Sequence, residues 1–284
     1  MSRSLHRPSR VLATVLCLAG VAAAGCSASR SAEQQHTSAR AEGQGIGRTS
    51  GDAAPSAPSY GRGTPPLGTP AERLSHAVHG KTVMVVGDSW AANLGQGMSA
   101  VAAGHGTVVN AGLGGCGIRL PEGDDVPERC RGWQKTWPSY LKKYQPDASV
   151  LMVGYWDVEP QRMKAGEEPK DITSAPHRAA FTAHLKRAVD LLTASGRPVY
   201  LMTSPLVTKS QVSDSARAMN QVLREVDRER TDVRLLDVTG QLCNDVECPA
   251  EINGISVYDP TMHLAPKARD RIAAWALNSI FDPA

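Results

Sequence analysis

The feature that most constrains the fold is an alternation between short apolar runs and amphipathic segments, which extends from residue 81 to the C-terminal end. Strands that alternate with helices in this way are typical of a parallel sheet covered by crossover helices. The sequence therefore predicts a three-layer α/β/α sandwich with a parallel five-stranded sheet. The five runs with the length and composition of buried strands are Thr82–Val86, Thr107–Asn110, Ser149–Val153, Pro198–Thr203 and Val233–Leu236.

Several helices are indicated by apolar residues at helical spacing. One spans Phe181 to Leu192, another spans Val212 to Val226, and the last begins near Pro266. The aromatic side chains from Trp133 to Tyr144 have the same spacing, but proline lacks the N–H that a helix interior requires. We therefore expect that helix to begin at Pro138, after the tryptophans, and its aromatic side chains to pack in the core.

The first 26 residues have the composition of an export signal. Arg3, Arg7 and Arg10 precede a short apolar stretch, and the segment ends in Ala-Ala-Gly-Cys at Cys26. This ending resembles a bacterial lipobox, in which the cysteine receives a lipid and becomes the mature N-terminus. The sequence thus predicts an extracytoplasmic, membrane-anchored lipoprotein. Cleavage at the small residues and full secretion is the alternative.

A polar segment, residues 27–76, follows the signal. Its only large apolar residues are Ile46, Tyr60, Leu67 and Leu74. Such a composition buries too little surface to offset the entropy of ordering the chain. We expect a disordered tether over residues 27–76 and one folded domain over residues 77–284, with about the usual length of a single domain.

The charge distribution excludes some classes of partner. The formal net charge is +3, and the three arginines of the first ten residues account for it. The remaining chain is neutral and has no lysine-rich stripe, which argues against a nucleic-acid binder. Within the sequence, no apolar run reaches the eighteen or so residues that span a bilayer.

Four cysteines remain once Cys17, in the apolar stretch, and Cys26 are set aside. In an oxidising compartment they predict two disulfides, for which three pairings are possible. Proximity along the chain favours Cys116–Cys130 and Cys243–Cys248. A metal site is the rival interpretation, but no Cys-x-x-Cys spacing or nearby histidine pair supports it. We predict no metal.

Candidate chemistry lies where the first strand ends, at Gly87-Asp88-Ser89. A serine in a strand-to-helix turn can present its hydroxyl at the sheet edge, with its own N–H near the helix start. The alternative is that Asp88 and Ser89 only cap the helix. A nucleophilic serine needs a base, and His263 lies in a loop just before the last helix. The other histidines of the domain are His79, His105, His177 and His184.

Four motifs together resemble the SGNH (GDSL) hydrolase superfamily. They are Gly87-Asp88-Ser89 after the first strand, Asn110 to Gly115 after the second, Gly154-Tyr-Trp-Asp157 after the third, and a late Asp259…His263 before the C-terminal helix. The resemblance covers residue 81 to the C-terminus. It implies a flavodoxin-like α/β/α fold and the activity of an esterase, lipase, carbohydrate deacetylase or acyltransferase.

The resemblance also implies roles for individual residues. Ser89 would be the nucleophile and His263 the general base. The backbone N–H groups of Ser89 and Gly115 would hold the oxyanion, with Gly112 and Gly114 as alternatives to Gly115. Trp156 stands where the family usually has an oxyanion-donating asparagine, and its indole N–H could donate instead. Similar Trp-Asp blocks, and the nearby Gly115-Cys116 with Cys130, resemble the SGNH domains of membrane acyltransferases that modify polysaccharides.

The acid of the fourth motif also departs from the family pattern. The family usually has Asp-x-x-His, but position 260 is proline, and Asp259 lies four residues before the histidine. Asp259 could still orient the imidazole, since orientation requires only a hydrogen bond to the second ring nitrogen. A Ser–His dyad oriented by a backbone carbonyl is the alternative.

The resemblance implies a serine esterase that hydrolyses acetyl or other acyl esters through an acyl-enzyme, with no cofactor. Its substrates would be small-molecule esters or acyl groups on cell-envelope glycans, and we expect a monomer. An O-acyltransferase would use the same residues, with a glycan hydroxyl in place of water. A glycan-binding protein with a decayed site is the non-enzymatic alternative.

Overall fold

Five parallel strands form the central sheet of this computed structural model, which describes residues 58–120, 126–205 and 210–283, without the side chains of residues 210–213. The strands are paired in the order β2-β1-β3-β4-β5, and each pair is parallel. The predicted fold class is confirmed. The strands are β1 (Thr82–Gly87), β2 (Thr107–Gly112), β3 (Ala148–Met152), β4 (Val199–Met202) and β5 (Val233–Leu236).

Two helical layers cover the sheet, and the contacts between helices show which helices share a layer. Helix α1 packs against α7, whereas α2 contacts α4 and α4 contacts α5. Because β1 and β3 are enclosed between these layers, their residues from Val83 to Val86 and from Ala148 to Met152 are almost completely buried. The helices are α1 (Ser89–Val101), α2 (Trp133–Tyr144), α3 (Tyr155–Val158), α4 (Ala175–Thr193), α5 (Ser210–Glu229), α6 (Val238–Leu242) and α7 (Pro266–Phe281).

Helix α2 differs from its prediction. It begins at Trp133 rather than at Pro138, directly after a short 3₁₀ turn over Glu128–Gly132. The missing N–H of Pro138 costs the helix one hydrogen bond, but both tryptophans are buried and their rings lie 4.8 Å apart between centroids. Burial of two large aromatic side chains outweighs one lost hydrogen bond, so the helix continues through the proline.

The segment before β1 also differs from its prediction. Residues 58–76 belong to the predicted tether, yet they pack on the domain. Leu67 is buried, and its carbonyl oxygen accepts a hydrogen bond from Arg271 at 3.0 Å. The Tyr60 hydroxyl donates to Asp237 at 2.9 Å and accepts from Arg224 at 2.7 Å. The predicted boundary at residue 77 is therefore wrong, and within the described residues the domain begins at residue 58. The predicted export signal, Cys26 and residues 27–57 lie outside the described residues.

A short hairpin that the sequence analysis did not identify joins α6 to α7. Its strands are β6 (Glu251–Ile252) and β7 (Ile255–Ser256), and its turn residues Asn253 and Gly254 both have positive φ. Asn-Gly is the strongest short signal of a hairpin turn, so the sequence did contain the information. Both proximity-favoured disulfides, Cys116–Cys130 and Cys243–Cys248, are present.

Within the described ranges, none of the helices combines the length and apolar composition that crossing a bilayer requires.

Candidate active site

Ser89 lies at the carboxyl end of β1, where the chain turns sharply into α1. The turn is possible because position 87 is glycine. Gly87 has φ +133°, and a Cβ there would lie 1.8 Å from the carbonyl oxygen of Met152 on the neighbouring strand. Asp88 then caps α1, its Oδ1 accepting from the Trp90 N–H at 2.9 Å. Ser89 is the first residue of α1 and partly buried. Ser89 therefore lies at the carboxyl edge of the sheet, where the sequence analysis expects it.

The glycine-rich loop after β2 lies beside Ser89. The Leu113 N–H donates to the carbonyl oxygen of Gly87 at 2.8 Å, which ties the loop to the end of β1. A Cβ added to Gly114 would lie 3.9 Å from the Cβ of Ser89. Gly115 follows with φ +78°, a conformation in which glycine costs nothing. The predicted oxyanion segment is thus adjacent to the predicted nucleophile.

Two further contacts hold this loop in place. Gly115 is followed by Cys116, whose disulfide with Cys130 links the loop to the start of α2. The Arg129 guanidinium donates to the carbonyl oxygen of Gly114 at 3.3 Å. A side chain at position 115 would meet this guanidinium, since a Cβ there would be 3.0 Å from Arg129 Nη2. The sequence analysis did not identify Arg129 as part of the site.

Trp156 lies on the other side of Gly115, in the short helix α3 that follows β3. Its Cζ2 atom is 4.0 Å from where a Cβ of Gly115 would be, and the indole is 40% exposed. Tyr155 is similarly exposed, and its ring meets that of Trp156 edge to face. The indole is therefore a partly exposed side chain beside Gly115.

His263 reaches the same edge from the loop before α7. Its imidazole packs against the indole of Trp90, the residue after Ser89, with 5.8 Å between ring centroids. The Asn93 side chain, one turn further along α1, donates to the carbonyl oxygen of Leu264 at 3.3 Å. These two contacts, one at the histidine and one at the residue after it, hold the loop against α1. The structure thus places the Gly114–Gly115 loop beside Ser89, Trp156 near Gly115 and His263 against the residue that follows Ser89, whereas no hydrogen bond joins Ser89 to His263 among the described residues.

The other histidines of the domain have different surroundings. His177 is buried and contacts the Ser174 hydroxyl and the carbonyl oxygen of Gln161 through its two ring nitrogens. His79 and His105 meet edge to face near the opposite, amino end of β1 and β2. His184 is partly buried within α4, where burial and nearby arginines lower its pKa. Among the histidines in the described part of the chain, His263 is the one whose ring packs on Trp90.

Asp259 contacts the imidazole of His263 only through Thr261 in this loop. Its Oδ1 accepts from the N–H of Thr261 at 2.8 Å, from the Thr261 hydroxyl at 2.7 Å and from the N–H of His263 at 3.1 Å. The imidazole Nδ1 of His263 contacts the Thr261 hydroxyl at 2.8 Å. In this loop we find no direct hydrogen bond between the Asp259 carboxylate and the imidazole. Thr261 lies between them.

Thr261 is a residue that the sequence analysis missed. A signal was available: Asp259 followed two residues later by threonine is the spacing of an Asx turn, in which the carboxylate bonds to the backbone two residues on. Partial burial raises the pKa of Asp259, but the hydrogen bonds from Thr261 and from the His263 amide outweigh it and lower the pKa overall. The carboxylate is therefore ionised at neutral pH and can only accept hydrogen bonds.

Two buried carboxyl groups lie beneath the site. Asp157 accepts from the backbone N–H groups of Ile118 at 3.1 Å and Arg119 at 2.9 Å, which ties the third motif to the chain beyond Cys116. Asp88 is fully buried, and within the described residues its Oδ2 has no hydrogen-bond partner. Burial, followed by repulsion from Asp157, raises the pKa of Asp88 to about 7. Burial also raises the pKa of Asp157.

A cavity of about 370 Å³ opens beside Gly115. Gly115, the Cys116–Cys130 disulfide and the exposed pair Tyr155 and Trp156 form one side of it. The loop between α3 and α4 contributes Pro160 to Arg162 and Pro169 to the lining. This volume is sufficient for a small acyl or sugar moiety next to Gly115.

No cluster of three or more His, Cys, Asp or Glu side chains suited to a metal ion occurs in the parts of the chain that the structure describes. The site as described consists of protein groups alone. A hydroxyl, an imidazole and a loop of backbone N–H groups at one rim are the components of nucleophilic acyl chemistry.

Comparison with known proteins gives a family and several structures of similar fold. No curated protein has a significantly similar sequence. Among solved structures, the periplasmic domain of a lipopolysaccharide acetyltransferase from Salmonella ser. Paratyphi A is 13% identical, with a TM-score of 0.49 over 72% of this chain and 84% of that one. A carbohydrate acetylesterase from Sinorhizobium meliloti is 11% identical, with a TM-score of 0.49 over 70% and 98%.

A third structure, a putative lipolytic protein of the G-D-S-L family from Desulfitobacterium hafniense DCB-2, is 14% identical, with a TM-score of 0.46 over 70% of this chain and 98% of that one. The sheet order and the four motifs at its carboxyl edge agree with the predicted SGNH-type fold. A family model described as "Protein of unknown function (DUF459)" matches residues 82–248, more than half of the chain and three of the four motifs. The chain belongs to this DUF459 family.

Proposed function

We propose that the protein is a serine esterase of SGNH type, with Ser89 as nucleophile and His263 as general base. The observation that carries the proposal is the packing of the His263 imidazole on Trp90, at the rim that also holds Ser89 and the Gly114–Gly115 loop. The proposal is supported by the approach of three segments distant in sequence to one rim, which is how the partners of a catalytic triad are brought together.

The proposed reaction proceeds in two steps. Ser89 Oγ attacks the ester carbonyl carbon while its proton passes to Nε2 of His263. The backbone N–H groups of Ser89 and Gly115 stabilise the oxyanion that forms. The bond to the alcohol oxygen then breaks, and the leaving alcohol takes the proton from His263. Water, deprotonated by the same imidazole, next attacks the acyl-enzyme and releases the acid and free Ser89.

Trp156 is a candidate for a third oxyanion donor. Its indole offers one N–H, and the ring edge beside Gly115 supports this role. Asp259 is the candidate orienter of His263, supported by its hydrogen bonds to the loop that holds the imidazole. No cofactor is part of the proposal.

A variant pair tests the proposed nucleophile. The protein should hydrolyse p-nitrophenyl acetate and be labelled by a fluorophosphonate at one serine. Ser89→Ala should lower kcat/KM by at least about 10³-fold and abolish the label, because loss of a triad nucleophile removes the covalent route. Ser99→Ala is a matched control on the same helix, since its hydroxyl only donates to the carbonyl oxygen of Gly95. Equal activity and labelling in the Ser89 variant would disprove the assignment.

The substrate class is a finer proposal. We propose acyl esters on cell-envelope glycans, and the exposed Tyr155 and Trp156 rings in the cavity beside Gly115 support binding of a small acyl or sugar moiety. O-acyl transfer is the second candidate, because the same serine and histidine would serve it with a glycan hydroxyl in place of water. Incubation with an acetyl ester and a glycan separates the two: free acetate alone indicates hydrolysis, whereas acetylated glycan indicates transfer.

The location is likewise proposed from sequence. Export through residues 1–26 with a lipid on Cys26 would anchor a monomeric domain outside the cytoplasm, and two disulfides suit such an oxidising compartment. Secretion without a lipid is the alternative. Fatty-acid labelling of the protein and of Cys26→Ala tests the anchor. If the wild-type protein incorporates no label, the lipid anchor is wrong.

A further inference from the structure

The loop that carries His263 contains a hydroxyl between its acidic and basic side chains. The Thr261 Oγ1 is 2.7 Å from Asp259 Oδ1 and 2.8 Å from His263 Nδ1. Both distances are those of good hydrogen bonds that involve a hydroxyl. One oxygen atom therefore bridges the carboxylate and the imidazole.

The number of available protons determines which atom donates in each of these two hydrogen bonds. A threonine hydroxyl has one proton, and an ionised carboxylate has none to donate. The short contact to Asp259 therefore uses the Thr261 proton, and the hydroxyl oxygen is left as an acceptor toward His263. The proton in that second hydrogen bond must belong to Nδ1. The imidazole is then held as the Nδ1–H tautomer, with the lone pair on Nε2.

The backbone of the loop holds Asp259 close to His263. Pro260 follows Asp259, and Met262, which precedes the histidine, has φ +65°. The Asp259 N–H donates to the carbonyl oxygen of His263 at 2.9 Å, so the two residues face each other across a closed loop. In this arrangement Asp259 Oδ1 is occupied by the two N–H groups and the hydroxyl of the loop.

We propose that Thr261 is a positioning residue whose hydroxyl transmits the orienting effect of Asp259 to Nδ1 of His263. The proposal rests on the proposed esterase function and adds a residue to it. When Ser89 Oγ–H gives its proton to Nε2, the resulting imidazolium keeps its Nδ1–H bonded to Thr261. The Thr261 proton stays on its own oxygen, and Asp259 remains ionised. No proton leaves the imidazole through this route.

The inference is tested with Thr261→Val and Thr261→Ser. Valine has the shape of threonine without the hydroxyl, and the two N–H groups that hold Asp259 remain, so the loop should keep its fold. We expect kcat to fall about 10–100-fold with little change in KM, the usual effect of losing a hydrogen bond to a group that becomes charged. Serine restores the hydroxyl and should retain activity within about threefold of wild type.

A tautomer measurement separates this inference from the proposed function. Long-range ¹H–¹⁵N spectra of His263 at a pH where the ring is neutral should show the proton on Nδ1 in wild type and in Thr261→Ser. In Thr261→Val that preference should be reduced. If wild type shows no Ser89-dependent hydrolysis, the esterase proposal fails, while the spectra still decide the role of the hydroxyl. An unchanged tautomer and unchanged kcat in Thr261→Val would overturn the inference.

A double-mutant cycle adds a readout that a purely structural threonine would not give. If Thr261 acts between Asp259 and His263, the losses in kcat for Asp259→Asn and Thr261→Val should not add, because either change breaks the same chain of contacts. Additive losses would show that the two side chains act independently, and they would contradict the proposal.

Discussion

Asp88 should make the protein less stable as the pH rises through the neutral range. Its carboxyl is fully buried, and burial together with the charge of Asp157 raises its pKa to about 7 in the folded state. In the unfolded chain the pKa is about 3.9. Between these two values the folded state binds the proton more tightly, so the free energy of unfolding falls as pH rises and the loss is complete above pH 7.

The size of this effect follows from the difference between the two pKa values. The two pKa values differ by about three pH units, and each unit corresponds to about 1.36 kcal/mol. The loss of unfolding free energy therefore has an upper limit of about 4 kcal/mol. Relaxation around a buried charge reduces it, and we expect about 2–4 kcal/mol between pH 4 and pH 8. Asp88→Asn removes the ionisation and keeps an acceptor for the Trp90 N–H. Relative to wild type, the unfolding free energy of the variant should therefore rise by about 2–4 kcal/mol from pH 4 to pH 8.

Urea unfolding of both proteins at pH values from 4 to 8 measures the difference. Asp259→Asn provides a control of opposite sign, because hydrogen bonds from Thr261 and His263 lower the pKa of Asp259 despite its partial burial. That variant should be less stable than wild type at neutral pH, and the deficit should shrink only as pH falls below about 4, through the lowered pKa of the folded state, so for this control the measurement extends to about pH 3. Parallel stability curves for wild type and Asp88→Asn would refute the reasoning about Asp88.

Two more predictions concern the parts of the chain that hold the site and the sheet. Leu67→Ala should lower the unfolding free energy by about 2–4 kcal/mol, because a buried leucine in the segment before β1 leaves a cavity; an unchanged urea midpoint would show that this segment adds no stability. Replacing Cys116 and Cys130 by serine should lower the unfolding free energy by about 3 kcal/mol, because the unfolded chain is no longer closed into a loop. It should also lower p-nitrophenyl acetate hydrolysis, because Gly115 adjoins the disulfide. Hydrolysis that is unaffected while stability falls would show that the disulfide does not position Gly115.

The parts of the fold set by local sequence patterns could be predicted, and those set by distant contacts could not. Apolar runs such as Val83–Val86 predict the five strands. Glycine and polar residues directly after these runs mark the strand ends where the motifs lie. By contrast, Tyr60 lies in a polar segment with few apolar side chains. Its order depends on Asp237 and Arg224, which are more than 160 residues away.

The same distinction applies to the site. Ser89, Gly115 and His263 could be proposed because each stands in a recognisable motif. The Asx-turn spacing of Asp259 and Thr261 was a signal for the turn, but it does not reveal whether the carboxylate reaches the ring directly or through the Thr261 hydroxyl. That depends on the turn made by Pro260 and on the left-handed backbone of Met262, which only coordinates display. Arg129 was missed because its guanidinium approaches Gly114 through a disulfide-linked segment.

The close contacts around Gly87 have a consequence for sequence variation at this edge. A Cβ at position 87 would collide with the backbone oxygen of Met152, and one at position 112 would lie 2.2 Å from the backbone nitrogen of Ala92. In both cases the opposing atom is main chain, which every amino acid carries. Substitutions at 92 or 152 therefore cannot create room for a larger residue. Both glycines are therefore expected to resist replacement in a mutational library, and a second substitution at 92 or 152 is not expected to rescue a larger residue at either position.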